Sequence, residues 1–378
     1  MGNPTKSVLL AFTGLNIDGG IAVVSRCIRD IVDGEREGGR LERVDRLLFW
    51  DEPDQAPAPP PNGEQKLARG SKLRFVLDLW IHSLRRRPDL VIFDLVGLAR
   101  SVTLPIPGFR PKRYAIFAHG IELDGADADR RGSALRGAWR IFANSDFTGQ
   151  RLRREFPEIA DRVVVTPLCI DPDKVELRQA SERPPAERRE PAALIVGRMW
   201  SEERGKGHDA LLEAFPDVLS ETGDAKLWIV GGGDDVERLE AKARELGIEE
   251  SVVFWGRVDD DVLLSLYRRA SVFAMPSRQE GFGLVYAEAM WHGLPCIGST
   301  ADAAQCVIDH EETGILVTYD DRPEIAAALK RLIGDEETRD RMGSTAAEHA
   351  RTHFSFDRFR EDFLAAAELA DPGVGRSA

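Results

Sequence analysis

The feature that most restricts the fold is an alternation of two hydrophobic periods. Short apolar runs of strand length give way to longer stretches with helical spacing along nearly all of the 378 residues. Strands buried on both faces read as continuous apolar runs, because crossover helices cover their sheet above and below. The alternation therefore predicts parallel sheets wrapped by helices, an α/β architecture. It comes in two series. The first places strands at Ser7 to Phe12, Arg43 to Phe49, Leu90 to Phe93, Tyr114 to Ala118, Trp139 to Ala143 and Val163 to Thr166. The second places them at Ala192 to Val196, Lys226 to Val230, Ser251 to Trp255, Val272 to Ala274, Cys296 to Gly298 and Ile315 to Val317. Between them RQASERPPAERREP, with Pro184, Pro185 and Pro191, reads as a linker. The expected organisation is a first doubly wound domain over 1–172, a linker over 173–191 and a second domain over 192–356. Single cores stop growing near ~250–300 residues, so a chain of 378 has room for two.

Helical periodicity is clearest at Ile21 to Ile31 and Leu73 to Leu84. The stretch EPDQAPAPPPNGEQ is too rich in proline to be regular and is expected to form an exposed loop. Near the end, FSFDRFREDFLAAAEL predicts a helix on which Phe354, Phe356, Phe359 and Phe363 form an apolar stripe, followed by a disordered PGVGRSA tail.

Composition narrows the function classes. Cys27, Cys169, Cys296 and Cys306 show no CxxC pair and no histidine at zinc-ligand spacing, which argues against a disulfide framework or a structural metal and fits a reducing cytoplasm. No apolar run reaches the ~18 residues of a membrane span, and the apolar stretch in MGNPTKSVLLAFTG is too short for a signal peptide. The net charge of −13 is unevenly spread, about +4 through Ile170 and about −17 beyond it. An acidic half argues against wrapping nucleic acid. The mildly basic half is either an ordinary solvated surface or a face for an anionic acceptor or anionic lipid headgroups.

Ligands of open α/β sheets bind beyond the carboxyl ends of the strands, where a helix N-terminus offers free N–H groups to a phosphate. Glycines after strands mark such places: Asp18-Gly19-Gly20-Ile21, Gly197-Arg198, Gly231-Gly232-Gly233 and Glu280-Gly281-Phe282-Gly283. A dinucleotide GxGxxG is not supported, because Gly231-Gly232-Gly233-Asp234-Asp235-Val236 lacks the last glycine and opens its helix with two carboxylates. The densest segment runs from Met275 to Ser299. A helix predicted from about Leu284 to His292 puts a phosphate at its tip within reach of backbone N–H groups, with Glu280 and Glu288 placed to accept hydroxyl hydrogen bonds from a sugar and a ribose. The apolar neighbours of Glu288 predict a buried carboxylate with a defined partner rather than a solvated one.

The run from Glu280 to Glu288 matches the E-x7-E signature, and the chain resembles the retaining glycosyltransferases of the GT-B fold, family 4. Gly293-Leu294-Pro295, Thr313 to Val317, Gly19-Gly20, His119-Gly120, Ala143-Asn144-Ser145, Gly197-Arg198 with Lys206-Gly207, Gly231 to Gly233 and Met275-Pro276-Ser277 extend the resemblance over most of the chain. It implies a GT-B fold, with two Rossmann-like doubly wound domains facing across a cleft and a last helix, about 357–372, packing back on the first domain. Arg198 and Lys206 are implied to hold the donor diphosphate, Glu280 the donor sugar, the backbone of Gly281, Phe282, Gly283, Leu284 and Val285 the sugar and phosphate, and Glu288 the ribose. The base is implied to rest near Arg257 and Val258, and His119 to face the sugar. The Gly19-Gly20 turn would approach the diphosphate or an acceptor phosphate. Asn144 and Ser145 are equally a helix-capping pair or an acceptor contact.

The resemblance implies a metal-independent hexosyltransferase without a cofactor, moving sugar from a UDP or GDP donor to a glycan or lipid-linked acceptor in cell-surface polysaccharide or glycolipid synthesis. The setting would be cytoplasmic, with peripheral contact at an anionic inner membrane face. Two departures stand out. Pro167-Leu168-Cys169-Ile170-Asp171 lacks the family's asparagine, and Trp200 to Arg204 is inserted between Arg198 and Lys206. Asp127-Ala128-Asp129 and Asp259-Asp260-Asp261 mimic a DxD motif but read as carboxylates at helix N-termini. A Rossmann-type NAD-dependent oxidoreductase and a non-catalytic nucleotide-sugar-binding homologue remain as alternatives.

Overall fold

The structure, a computed structural model, describes residues 5–17, 19–104, 111–120, 128–174 and 189–369. Asp18, Asp127, most of the linker and the PGVGRSA tail lie outside the described residues. The chain divides into two compact units, one running to Asp171 and rejoined from Phe356 onward, the other Pro172–Ser355.

The first unit contains β1 (Ser7–Phe12), α1 (Gly20–Glu37), β2 (Arg43–Leu48), β3 (Gln65–Leu67), α2 (Lys72–Arg86), β4 (Leu90–Phe93), α3 (Val96–Ala99), β5 (Tyr114–Ala118), α4 (Ala128–Gly137), β6 (Arg140–Ala143), α5 (Asp146–Glu155) and β7 (Val163–Val165). Its strands form one parallel sheet in the order β3-β2-β1-β4-β5-β6-β7. The central strands justify the continuous apolar runs, since every residue of β4 is wholly buried. The second unit contains β8 (Ala192–Val196), α6 (His208–Leu219), β9 (Lys226–Val230), α7 (Val236–Glu245), β10 (Val252–Gly256), α8 (Asp260–Arg269), β11 (Val272–Ala274), α9 (Leu284–Trp291), β12 (Cys296–Ser299), β13 (Gly314–Val317), α10 (Arg322–Gly334) and α11 (Glu336–His353). Its sheet is also parallel, in the order β10-β9-β8-β11-β12-β13. The last helix, α12 (Phe356–Ala366), packs on the first sheet through Phe359 against Phe117 and Phe363 against Phe142.

Two expectations need correction. The strand β3 escapes the apolar pattern because a three-residue edge strand, Gln65-Lys66-Leu67, needs no buried face. The proline-rich stretch before it is the irregular, largely exposed loop expected, anchored at a few points. Asp51 is buried and accepts from Leu15 N at 2.9 Å and Asn16 N at 3.0 Å, and Ala58 O and Pro57 O hold Arg46 and Gln65. The phenylalanine stripe is divided: Phe359 and Phe363 serve the first unit, whereas Phe354 packs edge-on against Phe282 in the second, ring centroids 5.6 Å apart.

Candidate active site

In each sheet the strand order reverses once, between β1 and β4 in the first and between β8 and β11 in the second. Adjacent loops leave in opposite directions at such a point, opening a crevice for ligands. Arg198, Lys206 and Glu280 gather at the second reversal and Gly19 and Gly20 lie at the first, whereas His119, Asn144 and Ser145 follow β5 and β6, and Arg257 and Val258 follow the edge strand β10.

In the second unit Arg198 follows β8, and Lys206 lies on a short 3₁₀ turn, Arg204–Lys206. That turn is tied to the loop after β11, where Arg278 N donates to Gly205 O at 2.9 Å. Lys206 Nζ forms an ion pair with Glu280 Oε1, both side chains mostly buried at 22% and 14% exposure. Arg198 pairs with Glu203 at 3.1 Å, but both are open to solvent, so this contact is weak. Each of the two cations is thus held by a carboxylate of its own.

The inserted residues do not disorder this loop. Ser201 N and Oγ both donate to Asp234 at 2.8 Å, and Arg204 donates to Asp235 at 2.8 Å. The two aspartates after the triple glycine thus dock the insertion. A Cβ at Gly231 would lie 2.0 Å from Gly197 O and one at Gly233 1.9 Å from Met199 O, so these glycines let the two loops touch. Arg257 lies over Gly232, with its Cγ 3.4 Å from where a Cβ would stand, and Val258 beside it is half-buried.

Gly283 precedes α9 in the left-handed region, φ 85°, and caps the helix without a side chain. A Cβ there would also meet the Tyr286 ring at 2.5 Å, so glycine is doubly required. Leu284 and Val285 are half-buried in the first turn of α9, leaving their N–H groups at the positive end of the helix. Gly281 and Phe282 are buried, and the Phe282 ring is spent on Phe354, which leaves its backbone to face a ligand. Glu288 is buried at 7% exposure; its Oε2 accepts from Tyr267 OH at 3.3 Å and its Oε1 lies 3.6 Å from Lys174 Nζ. It is the partnered carboxylate that its neighbours predicted.

Asp302 gave no sequence signal. It is 1% exposed, and its Oδ2 accepts from Ser277 Oγ at 2.5 Å and Glu280 N at 3.0 Å while Oδ1 accepts from Ala304 N at 2.9 Å. Burial pushes its carboxyl up to about 6, against those hydrogen bonds. Asp302 thereby fixes the backbone from which Glu280 projects.

In the first unit Gly19 is the N-cap of α1 and Gly20 its first residue, following a loop whose N–H groups Asp51 holds. His119 comes directly after β5, 5% exposed, and its Nε2 donates to Asp94 O at 2.8 Å. Ser145 caps α5, its Oγ accepting from Thr148 N at 3.2 Å, and Asn144 Nδ2 donates to His119 O at 3.1 Å. Both are nearly inaccessible, so capping and bracing of His119 occupy them in this structure. Asp259 likewise caps α8 by accepting from Val262 N at 3.0 Å. Among the described residues no cluster of three or more histidine, cysteine or acidic side chains could hold a metal ion, and no helix is long and apolar enough to cross a membrane.

Asp94 is the second residue that the sequence reading missed. It is wholly buried at the end of β4, and its Oδ2 accepts from Thr13 N at 2.7 Å, Thr13 Oγ1 at 2.6 Å and Ser25 Oγ at 2.8 Å, stitching β1 and α1 to β4 at the reversal point. Burial outweighs these donors and raises its carboxyl to about 6. The folded protein then holds the proton to higher pH than the unfolded chain, so this contribution is full below about pH 4 and is lost as pH rises through 6. Asp302 acts with the same sign, while His208, which burial pushes down to about 4, acts with the opposite one. The Asp94 share is therefore read as a difference. Between pH 4.5 and 7.5 the thermal midpoint of Asp94→Asn is expected to gain on that of the parent by the equivalent of about 2 kcal/mol, the part of a shift of ~2 pH units that falls inside that range. A constant gap across that range would remove the ionisation argument.

Residues 190–335 match the family Glycosyl transferases group 1. The chain is 34% identical over 183 residues to an uncharacterized glycosyltransferase of Methanocaldococcus jannaschii, covering 48% of this chain and 46% of that protein. It is 33% identical over 173 residues to a GDP-mannose-dependent alpha-(1-6)-phosphatidylinositol monomannoside mannosyltransferase of Mycobacterium tuberculosis, covering 44% and 43%. The chain thus matches less than half the length of these relatives. Among solved structures, sucrose-phosphate synthase from Thermosynechococcus elongatus superposes with a TM-score of 0.74 at 20% identity, covering 96% of this chain and 98% of that one. HepE of Anabaena in complex with UDP also gives 0.74, at 19% identity, covering 97% and 100%. Likeness at this identity establishes the fold. Residues 190–335 therefore belong to the glycosyl transferases group 1 family, and the chain that carries them has the GT-B fold.

Proposed function

We propose that the protein is a retaining, metal-independent glycosyltransferase that moves a hexosyl unit from a UDP or GDP sugar to a glycan or lipid-linked acceptor. The observation that carries the reading is the Lys206–Glu280 pair beside Arg198 and the uncapped N-terminus of α9, all at the reversal point of the second sheet and inside the segment that matches the family. On donor binding the diphosphate takes Lys206 and Arg198 from their carboxylates. The released Glu280 then accepts hydroxyl hydrogen bonds from the sugar, the N–H groups of Leu284 and Val285 meet a phosphate, and Glu288 meets the ribose, with the base near Arg257 and Val258. Gly19, Gly20 and His119 are assigned to the donor side of the first unit, and Asn144 and Ser145 support His119.

Retention follows from front-side displacement. The bond from the anomeric carbon to the phosphate oxygen breaks, the bond to the acceptor oxygen forms on the same face, and the acceptor proton passes to the leaving phosphate. Arg198 and Lys206 stabilise the charge that grows on that phosphate. A stable glycosyl adduct on a side chain, trapped and seen by mass spectrometry, would replace this step with a covalent one.

The mannosyltransferase of Mycobacterium tuberculosis named above supports a GDP-sugar donor and a phosphatidylinositol-based acceptor, and the HepE complex supports UDP. A lipid-linked acceptor also places the protein peripherally at the cytoplasmic face of an anionic membrane. Calorimetric titration with UDP, GDP, ADP and NAD tests the donor class. Binding of UDP or GDP without NAD is expected, whereas NAD binding would turn the reading to an oxidoreductase and nucleotide binding without turnover to a non-catalytic homologue. His119→Ala is expected to lower transfer about tenfold or more with nucleotide affinity within about twofold, since the imidazole is assigned to the sugar. Equal losses in both would make it a structural residue.

A further inference from the structure

The helix α2 buries only one of its two apolar faces. At about 100° per residue, Leu73, Leu77 and Leu84 fall within an arc of about 40°, opposite Phe75, Leu79 and His82, while Trp80 beside them is half-buried and packs against the core. Phe75 and Leu79 enter the core of the first unit. On the other face Leu73 is 79% exposed, Leu77 46% and Leu84 42%. Trp50, 55% exposed, continues the stripe beyond the N-terminus of α2, its ring resting on Gly70 where a Cβ would come within 2.6 Å. Large apolar side chains gathered in one exposed stripe mark an interaction surface.

The charges around the stripe choose the partner. Lys72, Arg74, Arg85 and Arg86 on α2 and Arg69 and Arg87 flanking it are all exposed or half-exposed; Arg74 pairs with Asp78, Arg86 with Glu64 and Arg69 with Glu52, which leaves Lys72, Arg85 and Arg87 to meet a partner. This concentration stands on a chain of net charge −13. Beside the C-terminal half of the stripe, between α2 and β3, a cavity of about 360 Å³ is lined by Glu64, Lys66, Asp78, Ile81, His82, Arg85 and Arg86. A second copy would bring like charges together. A partner that offers hydrocarbon to the leucines, a wet interface to the indole and anionic phosphates to the cations satisfies every group at once.

We infer that α2 and Trp50 form a docking face for an anionic lipid bilayer, with Leu73, Leu77 and Leu84 entering the acyl boundary and Lys72, Arg85 and Arg87 meeting headgroup phosphates. This deepens the peripheral-membrane part of the proposed function, and it stands on a surface that includes none of the residues assigned to the donor.

Co-sedimentation of the full chain with vesicles of phosphatidylcholine, with and without phosphatidylglycerol, tests it. Binding to the anionic vesicles is expected at low salt and is lost at high salt. The variant Leu73→Ser/Leu77→Ser/Leu84→Ser is expected to partition at least tenfold less, and Lys72→Gln/Arg85→Gln/Arg87→Gln about a hundredfold less. All six side chains are exposed, so circular dichroism melting of both variants should match the parent. Absence of parent binding to anionic vesicles, equal binding by the leucine variant, or a lipid-free dimer in sedimentation velocity that the leucine variant abolishes would overturn the inference. UDP and GDP titrations of the same samples keep the two claims apart: nucleotide binding with no vesicle binding sinks only the docking face, and the reverse sinks only the donor site.

Discussion

Lys206→Ala is expected to lower turnover at least ~10²-fold, a loss of ~3 kcal/mol of transition-state stabilisation. The charge on a leaving nucleoside diphosphate grows as the sugar departs, and a fixed ammonium contributes most at that moment. Removing it also strands the Glu280 carboxylate, whose side chain is only 14% exposed and loses its ion-pair partner. Part of any effect could then arise from a displaced loop, and the double variant Lys206→Ala/Glu280→Gln separates the two causes. With the stranded charge gone, the thermal midpoint is expected to recover, which isolates the loop contribution, while kcat in the double variant also carries the loss of Glu280 from the sugar. Arg198→Ala provides the control from the other side. Its partner Glu203 is exposed, so the fold should not respond, yet turnover should again fall at least ~10²-fold. Near-parental kcat in both single variants would remove the diphosphate assignment.

Asp302→Ala is expected to cost about 3–5 kcal/mol of stability and to abolish measurable transfer. The mutation leaves three donors without their acceptor inside the protein: Ser277 Oγ, Glu280 N and Ala304 N. An orphaned buried donor costs about 1–3 kcal/mol; Ser277 can turn to the neighbouring Tyr286 hydroxyl, whereas the two backbone N–H groups are fixed in place. The loop after β11 and the residues after β12 should separate, carrying Glu280 away from Lys206. Differential scanning calorimetry reads the stability loss, and protease sensitivity near Gln279 reads the loop. Asp302→Asn retains one acceptor oxygen and should lie between alanine and the parent in both measurements. An alanine variant as stable and as active as the parent would show that the carboxylate merely fills space.

The two series of strands were legible because burial on both faces of a parallel sheet leaves no room for polar residues, and β1, β4, β5, β8, β9 and β11 carry the expected bounds. Glu280 and Glu288 could be picked out through their spacing in the E-x7-E run, and Lys206 because Gly207 beside it is a glycine that close approach to Pro276 requires. Gly283 shows why such residues are informative: its position fails for any side chain on both conformation and space. The remainder of the site was hidden in ordinary residues. Asp94 and Asp302 sit in Val-Ile-Phe-Asp and Thr-Ala-Asp, with nothing to mark them as buried acceptors of three hydrogen bonds each. Likewise Asp234 and Asp235 read as carboxylates opposing a phosphate, whereas they hold Ser201 and Arg204.

The amino-acid sequence by itself determined the α/β class, the two parallel sheets and the glycine-framed segment from Met275 to Ser299, since local periodicity and backbone sterics act between near neighbours. Only the tertiary structure decided which carboxylates anchor loops and which pair with cations, because those roles depend on contacts between segments 22 to 81 residues apart. It also decided that the leucine stripe of α2 faces outward. A helix with apolar residues on two faces carries no internal sign of which face the sheet will take, and that choice rests on the fit of Phe75 and Leu79 into the core.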